Sequence, residues 1–318
     1  MQSSPTTSLF GVCQPNSDAS LFGVCLPNSE SSQQLQLQQH SQRSGSIEEM
    51  EDLLVRQMRN LSFQEKVKAD EDLHCLPDEI EETHDMVESR LREFESEVQS
   101  QRTFVYDIAE RQNKEFVEDR DLRLMFLRCD SFNANAATRR LMKFLQQKLT
   151  YFGEEKLTKE IKWSDLDEDD IEVLESGRWH IQSENDRSGR PIAFILNHVR
   201  PDFKPENFVR ASYFRFFQYI LPNIEAQRKG IVGIYYDTLG EVRPTAFNVA
   251  TKTWIFNLTL PVRYTAIHLC LKASKTPWYL NHVLKMLSRD VMVRTRIHHG
   301  TLFKAFTLGC SCAIFNTI

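Results

Sequence analysis

The spacing of hydrophobic positions changes along the chain, and each spacing predicts a different kind of structure. A capping box predicts a short helix from Ser46 through Leu61, and a longer helix is predicted from Asp78, because apolar side chains between Ile80 and Ile108 recur about every 3.5–3.6 positions. Further amphipathic helices are predicted at 121–128, 135–152 and 163–174. After Gly177, short apolar runs alternate with helical patterns. The chain is therefore predicted to be helical in its first half and α/β in its second half.

Apolar runs in the second half predict β-strands at 192–196, 231–236, 266–271 and near 296–298. The segments between them carry helical patterns at 205–227, 245–258 and 277–289. Strands that are apolar throughout and alternate with helices are typical of a mainly parallel sheet covered by helices. The predicted fold class is α/β, with such a sheet preceded by an all-helical subdomain.

Composition divides the chain into four segments. They are a disordered low-complexity tail (1–45), an acidic helical arm (46–115), a helical subdomain (116–176) and the α/β domain (177–318). The tail is rich in Ser, Gln and Asn and carries a tandem duplication, which predicts disorder or a pair of short docking motifs. Capping signals at Ser46 and Asp78 start two helices in the arm. We expect the arm to pack on the main domain or on a partner.

The net charge of −5 conceals an uneven distribution. Residues 1–115 carry 10 basic and 22 acidic side chains, whereas residues 116–318 carry 29 basic and 22 acidic ones. Within 261–304 there are eight Lys and Arg residues and a single acidic residue, Asp290. A cationic surface of this kind attracts phosphate on a nucleic acid or on a lipid headgroup. The stretch lies in predicted α/β elements and lacks a nucleic-acid-binding motif, so we do not expect a nucleic-acid partner.

The sequence offers little for catalysis. It lacks the glycine-rich loops that bind nucleotide phosphates and the Gly-x-Ser-x-Gly turn of many hydrolases. Its ligand-like pairs, His298-His299 and Cys310-x-Cys312, fall short of the four ligands of a zinc site. Asp237 could be a catalytic carboxylate, but hydrogen bonding to the turn after it is its expected role. We therefore expect no catalytic residue, no metal and no cofactor.

The predicted helix at 205–227 carries more aromatic residues than one buried face requires. Such rings either pack in an ordinary core or line an apolar cavity that faces the sheet. The cavity would take Tyr213, Phe214 and Phe217 from this helix and Ile234 and Tyr236 from the central strand.

The predicted helix at 277–289 is amphipathic. Its apolar face, which would complete the candidate apolar cavity, consists of Leu280, Val283, Leu284 and Leu287. Lys285 and Arg289 lie one turn apart on its polar side. The pattern is typical of surface packing, and it is also typical of a helix that rests on an anionic membrane.

Five stretches of the chain occur in a specific order, although each alone is a weak signal. They are Phe126-Leu-Arg-Cys-Asp-Ser-Phe132, Gly189-Arg-Pro191, Glu225-Ala-Gln-Arg-Lys-Gly-Ile231, Pro261-Val-Arg-Tyr-Thr-Ala-Ile-His-Leu269 and Arg296-Ile-His-His-Gly300. This series resembles the CRAL-TRIO lipid-binding family, and within it the tocopherol-transfer and retinaldehyde-binding branch. The resemblance covers about residues 119–306.

The resemblance implies a non-enzymatic carrier, in which the sheet floors an apolar pocket and a mobile gate helix, here 277–289, covers it. In the tocopherol branch, basic residues near the gate contact membrane phosphoinositides. The matching positions here are Arg263 and Arg296, with Arg294 as a neighbour. Val262 stands where the phosphatidylinositol-transfer branch has an acidic residue. The chain also ends differently from the family, so we expect an atypical or truncated C-terminus.

The expected function is therefore to bind a small hydrophobic lipid and to transfer it at anionic or phosphoinositide-containing membranes. The alternative is a scaffold of the same fold that has lost its ligand and recruits protein partners through the acidic arm. The sequence has neither a signal peptide pattern nor an apolar run of ~18 residues. We expect a cytoplasmic protein that associates peripherally with membranes.

Overall fold

The computed structural model describes residues 47–74, 80–177, 179–196, 204–237, 258–271 and 289–299, together with Lys252 and Leu284. All described residues belong to one compact unit, which spans 43–318. The predictions for the tail, for most of the helices at 245–258 and 277–289 and for the chain end lie outside the described residues.

Helices make up the described N-terminal half. They are α1 (Ile47–Arg59), α2 (Phe63–His74), α3 (His84–Gln101), α4 (Phe104–Gln112), α5 (Lys114–Glu118), α6 (Arg120–Cys129), α7 (Ala134–Phe152) and α8 (Glu168–Glu175), with 3₁₀ turns at Glu154–Lys156 and Trp163–Asp165. Side chains at the N-caps fix where several of them begin. Asn133, for example, accepts a hydrogen bond from the Ala136 N–H at the start of α7.

One long helix was predicted from Asp78 onward, and the structure has two. Thr83 caps α3 by accepting a hydrogen bond from the Met86 N–H, so the helix begins five residues later. Thr103 then caps α4 through the Tyr106 N–H, which ends the continuous helix at Gln101. A Thr side chain that satisfies the free N–H groups of a new first turn stabilises a break at that position.

Helix α2 was absent from the sequence prediction. Ser62 and Glu65 form a reciprocal capping box, in which the Ser62 N–H donates to Glu65 at 2.7 Å and the Glu65 N–H donates to the Ser62 hydroxyl at 3.3 Å. This Ser-x-x-Glu spacing is a recognised helix start. It was therefore the local signal that could have revealed α2.

The second half forms a five-stranded sheet in the order β1-β2-β3-β4-β5. The strands are β1 (Trp179–Ile181), β2 (Ile192–Leu196), β3 (Ile231–Asp237), β4 (Tyr264–Leu271) and β5 (Thr295–His299). β1 pairs antiparallel with β2, and all other neighbours are parallel. The predicted α/β class with a mainly parallel sheet is confirmed, and β1 is the strand that the prediction missed.

The described helices of this half are α9 (Pro205–Arg215), α10 (Ile224–Lys229) and α11 (Arg289–Val293). The single helix predicted at 205–227 is interrupted. A π-helical turn at Phe216–Ile220 follows α9, and Asn223 then caps α10 through the N–H groups of Glu225 and Ala226. None of the described helices combines the length and apolar character needed to cross a membrane.

The sheet has two chemically different faces because successive side chains of a strand point in opposite directions. On the helical face, Ile195, Tyr235, Ile267 and Leu269 join one large core cluster with α3 to α9. Residues 84–112, which composition assigned to the arm, belong to this core, and α3 packs against α7. On the opposite face, here called the far face, lies a smaller cluster of Ile192, Val232, Ile234, Ala266 and Cys270.

Gly230 sets the start of β3 against β4. Its φ is +75°, and a Cβ at this position would lie 2.6 Å from the Arg263 carbonyl oxygen and 2.7 Å from the Thr265 methyl group. Only glycine fits both the left-handed backbone and this close approach. The Ile231 N–H then donates to the Arg263 oxygen at 2.9 Å, which fixes the backbone of a predicted membrane-binding residue.

Candidate functional site

A cleft of about 870 Å³ lies where α7 and the start of β4 meet α11. One wall is the α7 surface with Arg139, Arg140 and Lys143. Val262, Arg263 and Tyr264 come from the start of β4, and Val291 and Arg294 come from α11 and the residue after it. The loop after α6 closes one end, and Lys68 of α2 lies at the rim. We call this the basic cleft.

The described lining of the basic cleft is strongly cationic. Its charged side chains are Lys68, Arg139, Arg140, Lys143, Arg263 and Arg294, against Asp130 alone on the acidic side. Asp130 is engaged by Arg140, whose Nε and Nη2 atoms donate to its two oxygens at 2.8 Å. Arg139 and Lys143 are exposed and lie one helical turn apart. The cleft therefore presents unneutralised positive charge to solvent.

The loop after α6 brings a hydroxyl group into this cluster. Ser131 and Phe132 both have left-handed backbones, with φ of 52° and 60°. The Ser131 oxygen accepts a hydrogen bond from Lys68 Nζ at 3.1 Å and one from Arg263 Nη1 at 3.4 Å. This loop is part of the stretch that carries the family resemblance, and here it holds two cations of the cleft in place.

Arg263 and Arg294, both predicted as membrane-binding residues, converge on Asp72 of α2. Arg294 donates to Asp72 Oδ2 from Nε at 2.7 Å and from Nη2 at 2.6 Å. Arg263 Nη2 lies 3.4 Å from Asp72 Oδ1. The Arg294 side chain is 4% exposed, so this carboxylate compensates a buried charge.

Arg190 binds the same residue through its backbone. Its guanidinium donates to the Asp72 carbonyl oxygen and, at 3.2 Å, to the Thr265 hydroxyl. Asp186 holds Arg190 in a buried ion pair at 2.7 Å. The hairpin between β1 and β2 thereby connects α2 to the sheet.

The structure separates the other predicted membrane-binding residues from the basic cleft. Arg296 faces the far side of the sheet, where its Nη1 donates to the backbone oxygens of Val293 and Thr295 at 3.0 Å. Arg289 is exposed, contacts the Asn60 carbonyl oxygen and lies 3.9 Å from Glu65. Lys285 lies outside the described residues. The expected grouping of Arg263 with Arg296 is corrected to Arg263 with Arg294, because Arg296 belongs to β5 and lies beside His268 on the far face, whereas Arg294 precedes the strand and pairs with Asp72.

The candidate pocket residues do not share one cavity, which corrects the sequence analysis. Tyr213, Phe214 and Phe217 lie in the main core on the helical side. Tyr213 stacks on Phe217 with ring centroids 4.3 Å apart. Ile234 and Tyr236 belong to the far-face cluster. The cause is the two-residue alternation of β3, which points these two side chains away from α9.

Of the predicted gate helix, Leu284 alone among the pocket residues is described, and it is buried in the main core cluster. Leu280, Val283 and Leu287 lie outside the described residues. Among the described residues, the candidate pocket lining outside the main core is therefore the far face of the sheet. Phe194 and Tyr236 pack at the edge of its apolar cluster, and Leu73 of α2 packs there as well.

A histidine pair interrupts the apolar far face. His268 Nδ1 lies 2.8 Å from His298 Nε2, and their rings stack. Burial, with the charges of His298, Arg296 and Arg190, lowers the pKa of His268 to about 3. His268 is therefore neutral near pH 7. Within the described part of the chain, no group of three or more His, Cys, Asp or Glu side chains is arranged to hold a metal ion.

Sequence reasoning missed five charged residues at the site: Lys68, Asp72, Arg139, Arg140 and Lys143. Arg139 and Lys143 have the i, i+4 spacing of one helix face, so α7 itself showed a basic stripe. Lys68 and Asp72 have the same spacing on α2, but the helix was not predicted. Nothing local indicated that these two helices meet beside β4.

Comparison with models of known protein families gives no match, and comparison with curated proteins gives none either. The geometry defines an α/β protein with a mixed, mostly parallel sheet, a cationic cleft on one side and an apolar sheet face on the other.

Proposed function

We propose that the protein binds a small hydrophobic lipid and exchanges it at anionic membranes, and that it docks on phosphoinositide headgroups through the basic cleft. The observation that carries the proposal is the charge of the cleft, where six cationic side chains surround about 870 Å³ with one acidic residue among the described lining. In this proposal the fold is that of the CRAL-TRIO family, as the ordered series of motifs suggests.

The cleft suits a ligand with several phosphate groups. Arg263 and Arg294 present guanidinium groups, which can bind phosphate oxygens through two parallel hydrogen bonds. Arg139 and Lys143 add exposed charges on the opposite wall. An anionic leaflet contributes on the order of 1 kcal/mol for each nearby Lys or Arg, so several such residues together favour docking.

The apolar far face supports the cargo part of the proposal. Its buried cluster of Ile192, Val232, Ile234, Ala266 and Cys270 is apolar throughout, and in this proposal it is the hydrocarbon-like floor of the cargo site. A lipid gains about 0.8 kcal/mol for each CH₂ group that leaves water, so such a floor competes with the bilayer interior. His268, which is neutral, and His298 beside it provide a polar point on this floor for a hydroxyl or carbonyl group of the cargo.

Vesicle sedimentation of the full chain tests the docking step. We expect binding to phosphatidylcholine vesicles that contain phosphatidylinositol bisphosphate, weak binding to phosphatidylcholine alone, and loss of binding as salt is added. Soluble inositol trisphosphate should compete if the headgroup is the recognised part. Competition by inositol trisphosphate without any vesicle binding would assign the cleft to a free phosphate ligand instead.

Native mass spectrometry tests the cargo step separately. After incubation with a mixed lipid extract, the expected result is one bound hydrophobic molecule per chain. Absence of any adduct, together with no uptake from liposomes, would remove the carrier function and leave the scaffold alternative.

A further inference from the structure

We propose that α2 is a built-in competitor for the basic cleft: the Asp72 carboxylate occupies a phosphate position between Arg263 and Arg294, and a polyanionic headgroup must displace it to bind. This inference rests on the proposed docking function and adds its regulation. It makes the described conformation the closed state of the cleft.

The contacts of Asp72 are those that a phosphate would make. Its Oδ2 accepts two hydrogen bonds from Arg294, at 2.6 and 2.7 Å, and its Oδ1 faces Arg263 at 3.4 Å. The neighbouring Glu71 forms no ion pair with any described residue. Of these two adjacent acidic side chains, Asp72 is therefore the one that contacts arginines of the basic cleft.

A second ion pair extends the contact. Glu65 of α2 lies 3.9 Å from Arg289, and Arg289 also donates to the Asn60 carbonyl oxygen between α1 and α2. Three of the residues predicted to bind membranes, Arg263, Arg289 and Arg294, are therefore paired with the acidic arm. Part of their charge is therefore compensated within the molecule before any membrane is present: Asp72 supplies one negative charge to Arg263 and Arg294, and Glu65 lies 3.9 Å from Arg289.

Within the described part of the chain, the apolar anchoring of α2 is small, which makes displacement feasible. Its buried apolar contacts there are Ala69 with Leu61 and Val293, and a partly buried Leu73. Phe63 is 81% exposed, and a groove of about 530 Å³ remains between α1, α2 and Arg296. Electrostatic contacts therefore hold α2 in place, and a phosphate, with three acceptor oxygens and greater charge, competes directly with a carboxylate.

Lys68 distinguishes two modes of headgroup binding. In one mode the headgroup displaces α2, and in the other α2 stays in place and contributes to the headgroup site. It lies on the same side of α2 as Asp72 and donates to Ser131 at 3.1 Å. If α2 stays docked, Lys68 adds a cation to the headgroup site, and Lys68→Gln weakens vesicle binding. If α2 leaves, Lys68 leaves with it, and Lys68→Gln removes a bond of the closed state, so binding is unchanged or tighter.

The test compares four full-length proteins on phosphatidylcholine vesicles with and without phosphatidylinositol bisphosphate: wild type, Asp72→Asn, Glu71→Gln and Lys68→Gln. We expect Asp72→Asn to bind about fivefold more tightly than wild type, because one charge-assisted contact of the competitor is lost. Glu71→Gln carries the same change in charge one position away and should match wild type. Circular dichroism checks that each variant is folded.

Hydrogen exchange on the wild-type chain gives a readout that needs no variant. Protection of the α2 amides, residues 63–74, should fall when phosphoinositide vesicles are added and stay unchanged with neutral vesicles. Unchanged protection of α2, or equal affinities of wild type and Asp72→Asn, would refute the role of α2 as a competitor. The proposed docking through the basic cleft would not be affected by that result. If neither wild type nor Asp72→Asn binds anionic vesicles, the proposed docking function itself fails and the competitor with it.

Discussion

Asp72 and Arg294 are 222 positions apart in the chain and form an ion pair at 2.6 Å. The pair joins α2 to the residue that precedes β5, beside the cationic cleft. Arg263 and Arg190 contact the same aspartate, through its side chain and its backbone. A single acidic residue of the N-terminal arm thus organises three arginines of the α/β domain.

This arrangement predicts different stability costs for two aspartates. Asp186→Ala strands Arg190 in the fixed interior, because both side chains of that pair are less than a tenth exposed. We expect a loss of about 3–5 kcal/mol in the free energy of unfolding. Asp72→Ala should cost only about 1–2 kcal/mol, because release of α2 would return Arg294 to water. Urea denaturation of both variants measures the difference, and equal costs would show that α2 is as fixed as the hairpin.

Substitution of Gly230 and of Gly153 gives a matched test of the close packing between Gly230 and the start of β4. Both have a left-handed backbone, with φ of +75° and +76°, but a Cβ at Gly153 would meet nothing within 4 Å. Gly153→Ala should therefore cost about 1–2 kcal/mol of unfolding free energy for the backbone alone, because φ near +75° with an extended ψ is accessible almost only to glycine. Gly230→Ala should cost about 2–4 kcal/mol, because the Cβ also meets the Arg263 oxygen. Similar melting temperatures for the two variants would contradict this packing.

Because Lys148 is buried, we expect the free energy of unfolding to rise with pH. Its side chain is fully buried, donates to the Lys159 carbonyl oxygen at 2.7 Å, and lies over the Phe116 ring. Burial lowers its pKa to about 7. Above pH 7 the folded chain then releases a proton that the unfolded chain keeps until about pH 10.5, so stability increases between these values.

The variant Lys148→Met isolates that effect. Wild type should gain on the order of 2–3 kcal/mol between pH 7 and pH 10, since the hydrogen bond and the ring partly favour the charged amine. Lys148→Met should be more stable than wild type at pH 7, and this part of the pH dependence should disappear. Unfolding curves at three pH values measure it, and an identical slope in both proteins would assign the rise to other groups.

Because His268 is buried, we expect the free energy of unfolding to fall in acid. Because its pKa is lowered to about 3 in the fold, the unfolded chain takes up a proton below about pH 6.5 that the folded chain refuses. Stability should therefore decrease as the pH falls from 6.5 toward 3. His268→Gln should reduce this loss by on the order of 2 kcal/mol at pH 4.5, as measured by urea denaturation of the variant and of wild type at pH 4.5 and pH 7. Equal acid sensitivity of the two proteins would contradict the burial of His268.

The sequence predicted the parts of the fold that depend on local pattern. β2 lies at its expected residues because an apolar run bounded by Pro191 and a polar segment has few alternatives. The break between α3 and α4 was missed, although Thr103 carried its capping signal, because the hydrophobic repeat continues through it. Local spacing alone does not decide whether a helix bends, breaks or continues.

The candidate site was less predictable because it depends on tertiary placement. Arg263 and Arg294 were identified as basic residues, but their partner Asp72 lies on a helix that the prediction lacked. Tyr213 and Ile234 were assigned to one pocket, although the sheet lies between them, because periodicity does not show which strand face meets which helix. The contacts of Asp72 and the assignment of side chains to sheet faces depend on which distant segments pack together, and local sequence patterns do not show this.

The central claim is that the basic cleft docks the protein on phosphoinositide membranes. Replacement of Arg139 and Lys143 tests this claim most directly. Both side chains are exposed, so their replacement leaves the core intact. The measurement is the affinity of Arg139→Gln/Lys143→Gln for phosphatidylinositol bisphosphate vesicles. The control is Arg187→Gln/Lys204→Gln, which removes the same charge from exposed positions that do not line the cleft. We predict that the cleft variant binds at least about tenfold more weakly, as expected for two headgroup contacts, while the control matches wild type. Equal affinities of the two variants would contradict the account.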